Sequence, residues 1–369
     1  MSWEALLHDS VSTIEELTEY MDVNDKDRRV LEKICQEHPI RISKYYLSLI
    51  DRNNAEDPIR KIAVPLTHET HMAGHYDTSG ERVNTVLPGL QHKYRQTALI
   101  LATNECAMYC RHCFRKRLVG VDTEEVIQDI PSVADYITNH EEINNVLITG
   151  GDPFTLPNER IEEFLAALAP IEHLDYIRFG TRVPVTFPKR ILSDENLLSI
   201  LKSHSNKKQR LYVVTQFNHP REITKKSTQA CKQLQEAGII VSNQTVLLKG
   251  INDDSNVLAR LQRGLVQIGV VPYYVFQCRP VKRVKKQFQV PLYEGCKIIE
   301  ETWAKLDGHT KRFRFIMSHP SGKIEILGMR DGEFLFKYHQ AKNPKDYGRI
   351  FTRRVDRTAT WLDDLEDGS

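Results

Sequence analysis

From about residue 96 onward the sequence keeps one rhythm: a short apolar, β-branched run, then a longer stretch with helical spacing, repeated six times. The runs are ALILAT (98–103), NVLITG (145–150), YIRFGT (176–181), LYVVTQF (211–217), IIVSNQTVLL (239–248) and VVPYYVFQC (270–278). A seventh, RFRFIMS (312–318), follows. Segments such as NERIEEFLAALAPI and SDENLLSILKSH separate them, several opening on the Asp, Asn, Ser or Thr that helix N-termini prefer. Strands alternating with helices predict βαβ units and a parallel sheet. So many units in a row favour an incomplete (β/α)6-type barrel over a short open sheet. Ahead of it, residues 1–95 read as a helical region and linker: Ile14, Leu17 and Met21, then Val30, Leu31 and Ile34, have amphipathic spacing. The linker is the Gly-, Thr-, Pro- and His-rich stretch 63–89. The expected organisation is α/β, with a helical region (1–95), a partial barrel (96–310) and a C-terminal segment ending in a polar tail (311–369).

Barrels of this kind place their chemistry at the C-terminal ends of the strands. There lie NECAMYCRHCFRKR, GGDP (150–153), GTRVP (180–184), QFNHP (216–220), LLKGIND (247–253), CRPVK (278–282) and SHPSGK (318–323). Polar loops are ordinary at such junctions, but three cysteines within eight residues, Cys106, Cys110 and Cys113, are not. The other four, Cys35, Cys231, Cys278 and Cys296, are dispersed and read as buried apolar thiols. Lys+Arg is 51 against 49 for Asp+Glu, too balanced for the basic footprint of a nucleic-acid binder. No run approaches the roughly 18 apolar residues of a membrane span. The acidic start lacks a signal peptide's basic-then-apolar order, so a cytoplasmic location is expected.

The spacing C-x3-C-x2-C narrows the chemistry. A structural zinc site takes four ligands, usually as two pairs from separate segments. No second pair is evident, and His112 could be a fourth ligand only with awkward geometry. Three thiolates from one loop suit a [4Fe–4S] cluster, normally held by four, with one iron left open to a small molecule. Zinc and three unligated thiols remain the alternatives.

CAMYCRHCFRKRLVG, ITGGDPF, RFGTRVPV, QFNHPREIT, NQTVLLKGIND and PYYVFQC, in this order, resemble the lysine 2,3-aminomutase family of radical S-adenosylmethionine (SAM) enzymes, over about 90–325. The resemblance implies that Cys106, Cys110 and Cys113 hold the cluster, and that SAM chelates the open iron and is split to a 5′-deoxyadenosyl radical. It implies that Gly150, Gly151, Asp152 and Pro153 form the motif that holds the methionyl amino group, with Asn218, His219 and Gln244 near SAM. A second cofactor, pyridoxal phosphate, is implied as a Schiff base on a lysine in a Gly-rich loop. Lys323 in HPSGK holds that place, with the family's glycine run reduced to Ser321-Gly322. Lys93 and Arg95 fall where the family sets cations for the cofactor phosphate. Arg115 matches the clamp for the substrate α-carboxylate, a role that suits the planar fork of a guanidinium. The implied reaction moves an amino group from the α- to the β-carbon of an amino acid. The implied partners are that small molecule and an electron donor such as flavodoxin or ferredoxin, with a homo-oligomer possible and no nucleic acid or membrane involved.

Two positions depart from the lysine-specific pattern. Aspartates that hold the substrate ammonium there are replaced by Arg279, in QCRP, and by Ser318 or its neighbour His319, in MSHPSGK. A guanidinium repels an ammonium in a low-dielectric pocket and so inverts selectivity. The expected substrate therefore carries a neutral side chain or, by preference, a carboxylate, as in glutamate; alternatively Arg279 turns away, or pairs with a nearby acid. No cysteine follows Cys296 to supply the family's intersubunit zinc site, and KRVKK (282–286) reads as a solvated loop. The competing functions are lysine 2,3-aminomutase itself, another radical SAM enzyme modifying a lysine, and a zinc- or cluster-binding interaction protein with no activity.

Overall fold

A computed structural model of the chain describes residues 2–206 and 208–367. Its twelve strands form one sheet in which each strand neighbours the next in sequence. They are β1 (Thr85–Leu87), β2 (Leu90–Tyr94), β3 (Thr97–Thr103), β4 (Asn145–Gly150), β5 (Tyr176–Gly180) and β6 (Arg210–Thr215). The order continues with β7 (Ile240–Leu247), β8 (Val271–Gln277), β9 (Arg314–His319), β10 (Gly322–Arg330), β11 (Glu333–Ala341) and β12 (Ile350–Arg354). Neighbours from β3 to β9 are parallel. The expected α/β partial barrel is this stretch, and its strands begin and end within a few residues of the apolar runs.

The crossovers are helices Ile130–Thr138, Asn158–Leu168, Glu195–His204, Lys225–Glu236, Ser255–Gln267 and Leu292–Ala304. Side chains of Asp129, Asp194, Thr224 and Asp254 accept backbone N–H bonds at four of their starts, satisfying donors with no partner inside the helix. The first crossover starts at Ile130 because Asp129 is its cap and Pro131 fits only its first turn.

Both edges depart from the sequence expectation. The end of the supposed helical region and linker (1–95) contains β1 and β2; β2 runs antiparallel to both β1 and β3. The supposed polar tail contains β10, β11 and β12, which extend the sheet antiparallel from β9. Hence Lys323 stands not in a loop but at the second position of β10, paired with Ser318 of β9. KRVKK is likewise not a solvated loop throughout: Arg283 is buried, donating to the Glu69 carbonyl at 2.9 Å and the Glu37 carboxylate at 2.6 Å. Of the dispersed cysteines, Cys231, Cys278 and Cys296 are buried while Cys35 is half-buried, and all are free thiols.

The N-terminal helices are part of the same core. Leu17, Ile34, Ile42 and Tyr46 join one buried cluster with Ile100, Ile148, Phe179 and Val213 of the barrel strands. At the seam left by the incomplete barrel, Lys93 on β2 donates to the carbonyls of His319 at 2.7 Å and Ser79 at 3.2 Å. Among the described residues no helix is long and apolar enough to cross a membrane.

Candidate active site

The cysteine segment leaves β3 and is held from behind by the N-terminal region. The Arg111 amide donates to the Ile62 carbonyl at 2.8 Å, and the Tyr109 amide donates to that of Arg41 at 3.0 Å. The Arg111 guanidinium grips both oxygens of Glu69, at 2.8 and 2.7 Å, and Lys116 reaches the same carboxylate at 2.7 Å. Burial alone would raise the Glu69 carboxyl, but Arg111 and Lys116 outweigh it and hold it at about 2. Two cations around one carboxylate leave net positive charge beneath the cysteines, which favours thiolate ligands.

Cys106, Cys110 and Cys113 all line one cavity of about 320 Å³ at the C-terminal ends of the barrel strands. Burial pushes Cys113 up to about 11 and Cys106 well above the usual thiol range, with Asp152 and the other sulfurs adding to the latter. Such a pocket disfavours bare thiolates, whereas a bound metal centre deprotonates its thiols outright. No three His, Cys, Asp or Glu side chains close around a single point among the described residues. A cuboidal cluster takes each of three sulfurs on a different iron, so the trio need not converge on one point. His112 is not placed as a fourth ligand. Its Nε2 lies 3.3 Å from the amide nitrogens of both Gln216 and Asn218, which donate to it, so the ring proton sits on Nδ1. That Nδ1 has no partner among the described residues.

The glycines after β4 exist for close packing on the cysteine loop. Gly150 has φ 120°, and a Cβ there would strike the Thr103 carbonyl oxygen. A Cβ on Gly151 would strike that of Glu105. The amides of Gly151 and Asp152 donate to the same two carbonyls, at 2.5 and 2.7 Å. With those N–H groups occupied and the Gly150 carbonyl accepting from Arg115 at 3.3 Å, the Gly151 carbonyl is the oxygen the motif has left to offer a ligand, which suits an amino group. Asp152 serves the fold: its buried carboxylate accepts from the Phe154 amide at 3.1 Å and the Arg182 amide at 2.7 Å. Pro153 lies behind it, outside the cavity lining.

The charged side chains of the lining are mostly cationic. Lys93, Arg115, Arg178, Arg182, Arg279 and Lys323 face the cavity, against Glu81 and Asp152. Arg115 donates to Glu81 at 2.9 Å and to the Thr149 hydroxyl at 3.2 Å; Arg117 takes the other Glu81 oxygen at 2.9 Å. Arg279 does not turn away. Its two terminal nitrogens donate to Ser79 and Ser318, each at 2.9 Å, and its guanidinium lies 4.0 Å from the Phe114 ring centre. Lys323 sits 5.5 Å from the Tyr94 ring centre and 5.4 Å from that of Tyr274. Burial, then Arg178, Arg279 and Lys93, brings its amine down to about 7. Burial and Arg279 bring Lys93 to about 7 as well.

Not every expected residue arrives. Arg95 is exposed at the β2–β3 turn and does not line the cavity, because the chain reverses just after Tyr94. Asn218 is buried behind the wall, its side-chain oxygen accepting from the Val246 amide at 2.9 Å. His219 accepts from the Arg221 amide at 3.2 Å, and burial holds its imidazole down at about 4. Neither Asn218 nor His219 lines the cavity, whereas Gln244 does. Of the two candidates after β9, Ser318 faces inward and His319 bonds to Ser321 and Asp363. Sequence reasoning missed Glu81, Arg178 and Arg182; only GTRVP, singled out by its place at a strand end, held a signal for one of them. Tyr94 Oη, His112 Nδ1 and Thr215 Oγ1 are buried in the lining with no partner among the described residues, as a polar ligand's contacts would be.

Residues 100–261 match the Radical SAM superfamily. The chain is 42% identical over 347 residues to a putative L-lysine 2,3-aminomutase of Aquifex aeolicus, covering 94% of this chain and 92% of that one. It is 36% identical to an L-lysine 2,3-aminomutase of Clostridium subterminale, over 87% of this chain and 76% of that one. Against a glutamate 2,3-aminomutase of Clostridioides difficile it is 37% identical, over 86% and 74% respectively.

Proposed function

Because the chain belongs to the lysine 2,3-aminomutase family of radical SAM enzymes, we propose that it is a pyridoxal phosphate-dependent amino acid 2,3-aminomutase whose substrate is glutamate-like, with an acidic or neutral side chain. The observation that carries the substrate class is Arg279, held between Ser79 and Ser318 in the cavity shared by Arg115 and Lys323. Both carboxylates in that lining already have partners: Glu81 two arginines, Asp152 two backbone amides. A lysine side chain would bring an ammonium to a wall with no unpaired acid. At about 4 Å and an effective dielectric of about 20, like charges repel by roughly 4 kcal/mol, close to a thousandfold in binding.

In this reading Cys106, Cys110 and Cys113 hold the cluster, and the Gly151 carbonyl, with Gln244, receives SAM. Lys323 is the attachment point for pyridoxal phosphate, its amine substantially unprotonated near neutral pH. Lys93 and Arg178 supply the cations for the phosphate, in place of the exposed Arg95. Arg115 fixes the α-carboxylate, kept in place by Glu81, and Arg279 meets the far end of the substrate. When bound, the cofactors supply hydrogen-atom abstraction and a carrier for the migrating amino group; the chain orients the reactants and excludes water. An external low-potential donor of the flavodoxin or ferredoxin type supplies the electron. Three thiols kept for a cluster and four further unpaired cysteines, Cys35, Cys231, Cys278 and Cys296, agree with a reducing, cytoplasmic setting.

The names of several relatives support a second reading, lysine as substrate. The experiment that separates the two is anaerobic turnover with dithionite, SAM, pyridoxal phosphate and a panel of amino acids, reading out β-amino acids. Glutamate or a neutral amino acid should exceed lysine, and Arg279→Asp should reverse the order. A wild-type preference for lysine overturns the assignment of Arg279.

A further inference from the structure

Arg182, in the loop after β5, is tied to the cysteine segment by a contact that neither substrate nor fold requires. Its Nη1 is directed at the Cys110 sulfur and in contact with it. The rest of the guanidinium is fixed independently of that sulfur: Nε donates to the Gln216 carbonyl at 2.9 Å and Nη2 to Glu222 at 2.7 Å. Glu222 is itself fully buried and immobilised by the Tyr46 hydroxyl at 2.6 Å and by the amides of Asn218 and His219 at 2.6 and 3.0 Å. The charge is therefore held beside one of the three cysteine sulfurs by an anchored frame, and that sulfur's bonding does not decide where it points.

We propose that Arg182 sets the reduction potential of the iron–sulfur cluster through an N–H···S bond to Cys110. A proposal of this kind rests on the cluster assignment above. Hydrogen bonds to the sulfurs and the net charge around a cluster are among the terms that fix its potential. The relevant step is the uptake of one electron by the oxidised cluster from an external low-potential one-electron donor. No proton accompanies it, since a guanidinium keeps its own across the working pH range. The added negative charge spreads over the ligand sulfurs, so a cationic donor on Cys110 stabilises the reduced state more than the oxidised one. Arg182 thus makes the cluster easier to reduce, and it acts through a ligand rather than on substrate.

The test is an anaerobic potentiometric titration of the reconstituted holoprotein, followed by electron paramagnetic resonance, for wild type and Arg182→Gln. The variant's potential should fall, with the equilibrium constant for reduction down by about tenfold, equivalent to about 59 mV for a one-electron couple. An unchanged potential at wild-type iron content overturns the proposal. Should Arg182→Gln not hold its cluster, the wild-type protein alone decides. Its reduced cluster, prepared with arginine carrying 15N only in the guanidinium so that backbone amides are silent, should show a 15N coupling in electron–nuclear double resonance, and absence of any such coupling overturns the proposal. Wild-type protein that takes up no iron–sulfur cluster removes the cluster assignment as well, so the two failures are told apart.

Discussion

At the scale of single residues, Lys323 shows how surroundings convert a common side chain into a chemical group. Packed near two tyrosine rings and beside Arg178, Arg279 and Lys93, its amine falls from the ordinary lysine value of 10.5 to about 7. Attachment of pyridoxal phosphate needs the neutral amine, so uptake should rise with pH through about 7 and then level off. Borohydride reduction followed by peptide mapping should find the label on Lys323, and Lys323→Met should lose it while keeping its iron; a label on another lysine refutes the role. The same shift has a stability consequence of definite sign. Between the folded value near 7 and the unfolded value near 10.5, the unfolded chain binds the extra proton, so stability of the cofactor-free protein rises with pH in that window. Thermal melts at about pH 7 and about pH 9 should show a smaller rise for Lys323→Met than for wild type.

Between elements, the decisive joint is the end of β4 against the cysteine segment. Side chains at positions 150 and 151 would collide with the carbonyls of Thr103 and Glu105, so only glycine lets the two backbones meet. Gly151→Ala should force that joint apart, costing about 1–3 kcal/mol as overpacked sites do, and should lower iron retention. Gly308→Ala is the control, because a Cβ there meets nothing within 4 Å. Equal denaturation midpoints and equal iron contents for the two variants would show that the close approach is not needed.

Over the whole molecule, the N-terminal region is a brace for the cluster loop. Glu69 gathers Arg111 and Lys116 from between and beyond the cysteines, and its backbone carbonyl takes Arg283 from the far side of the barrel. Glu69→Gln would leave two buried cations without their carboxylate, at a cost of about 3–5 kcal/mol, and the iron content should drop with it. The wild-type contribution is fully present above the unfolded carboxyl value of 4.5 and is lost progressively as pH falls from there toward about 2. Urea titrations at about pH 7 and about pH 5.5 should therefore separate wild type from Glu69→Gln by similar margins; a gap already closed at about pH 5.5 shows that the ion triad is not the source.

The sequence by itself determined the seven parallel strands, the cysteine trio and the placement of the unusual motifs at one rim, because hydrophobic periodicity and loop spacing are local properties. Lys323, Arg115 and Arg279 were legible by their order among those motifs. The edge strands β1, β2 and β10–β12 were not, since polar, half-exposed segments join a sheet only when a neighbour presents a free edge. Nor were Glu81, Arg178 and Arg182, which on paper look like surface charges. Only the tertiary structure buries Glu81, sets the half-buried Arg178 and Arg182 into the cavity wall and brings Ser79 to Arg279 across 200 residues of chain, and burial is what gives a charge its chemical force, by removing the water that would screen it.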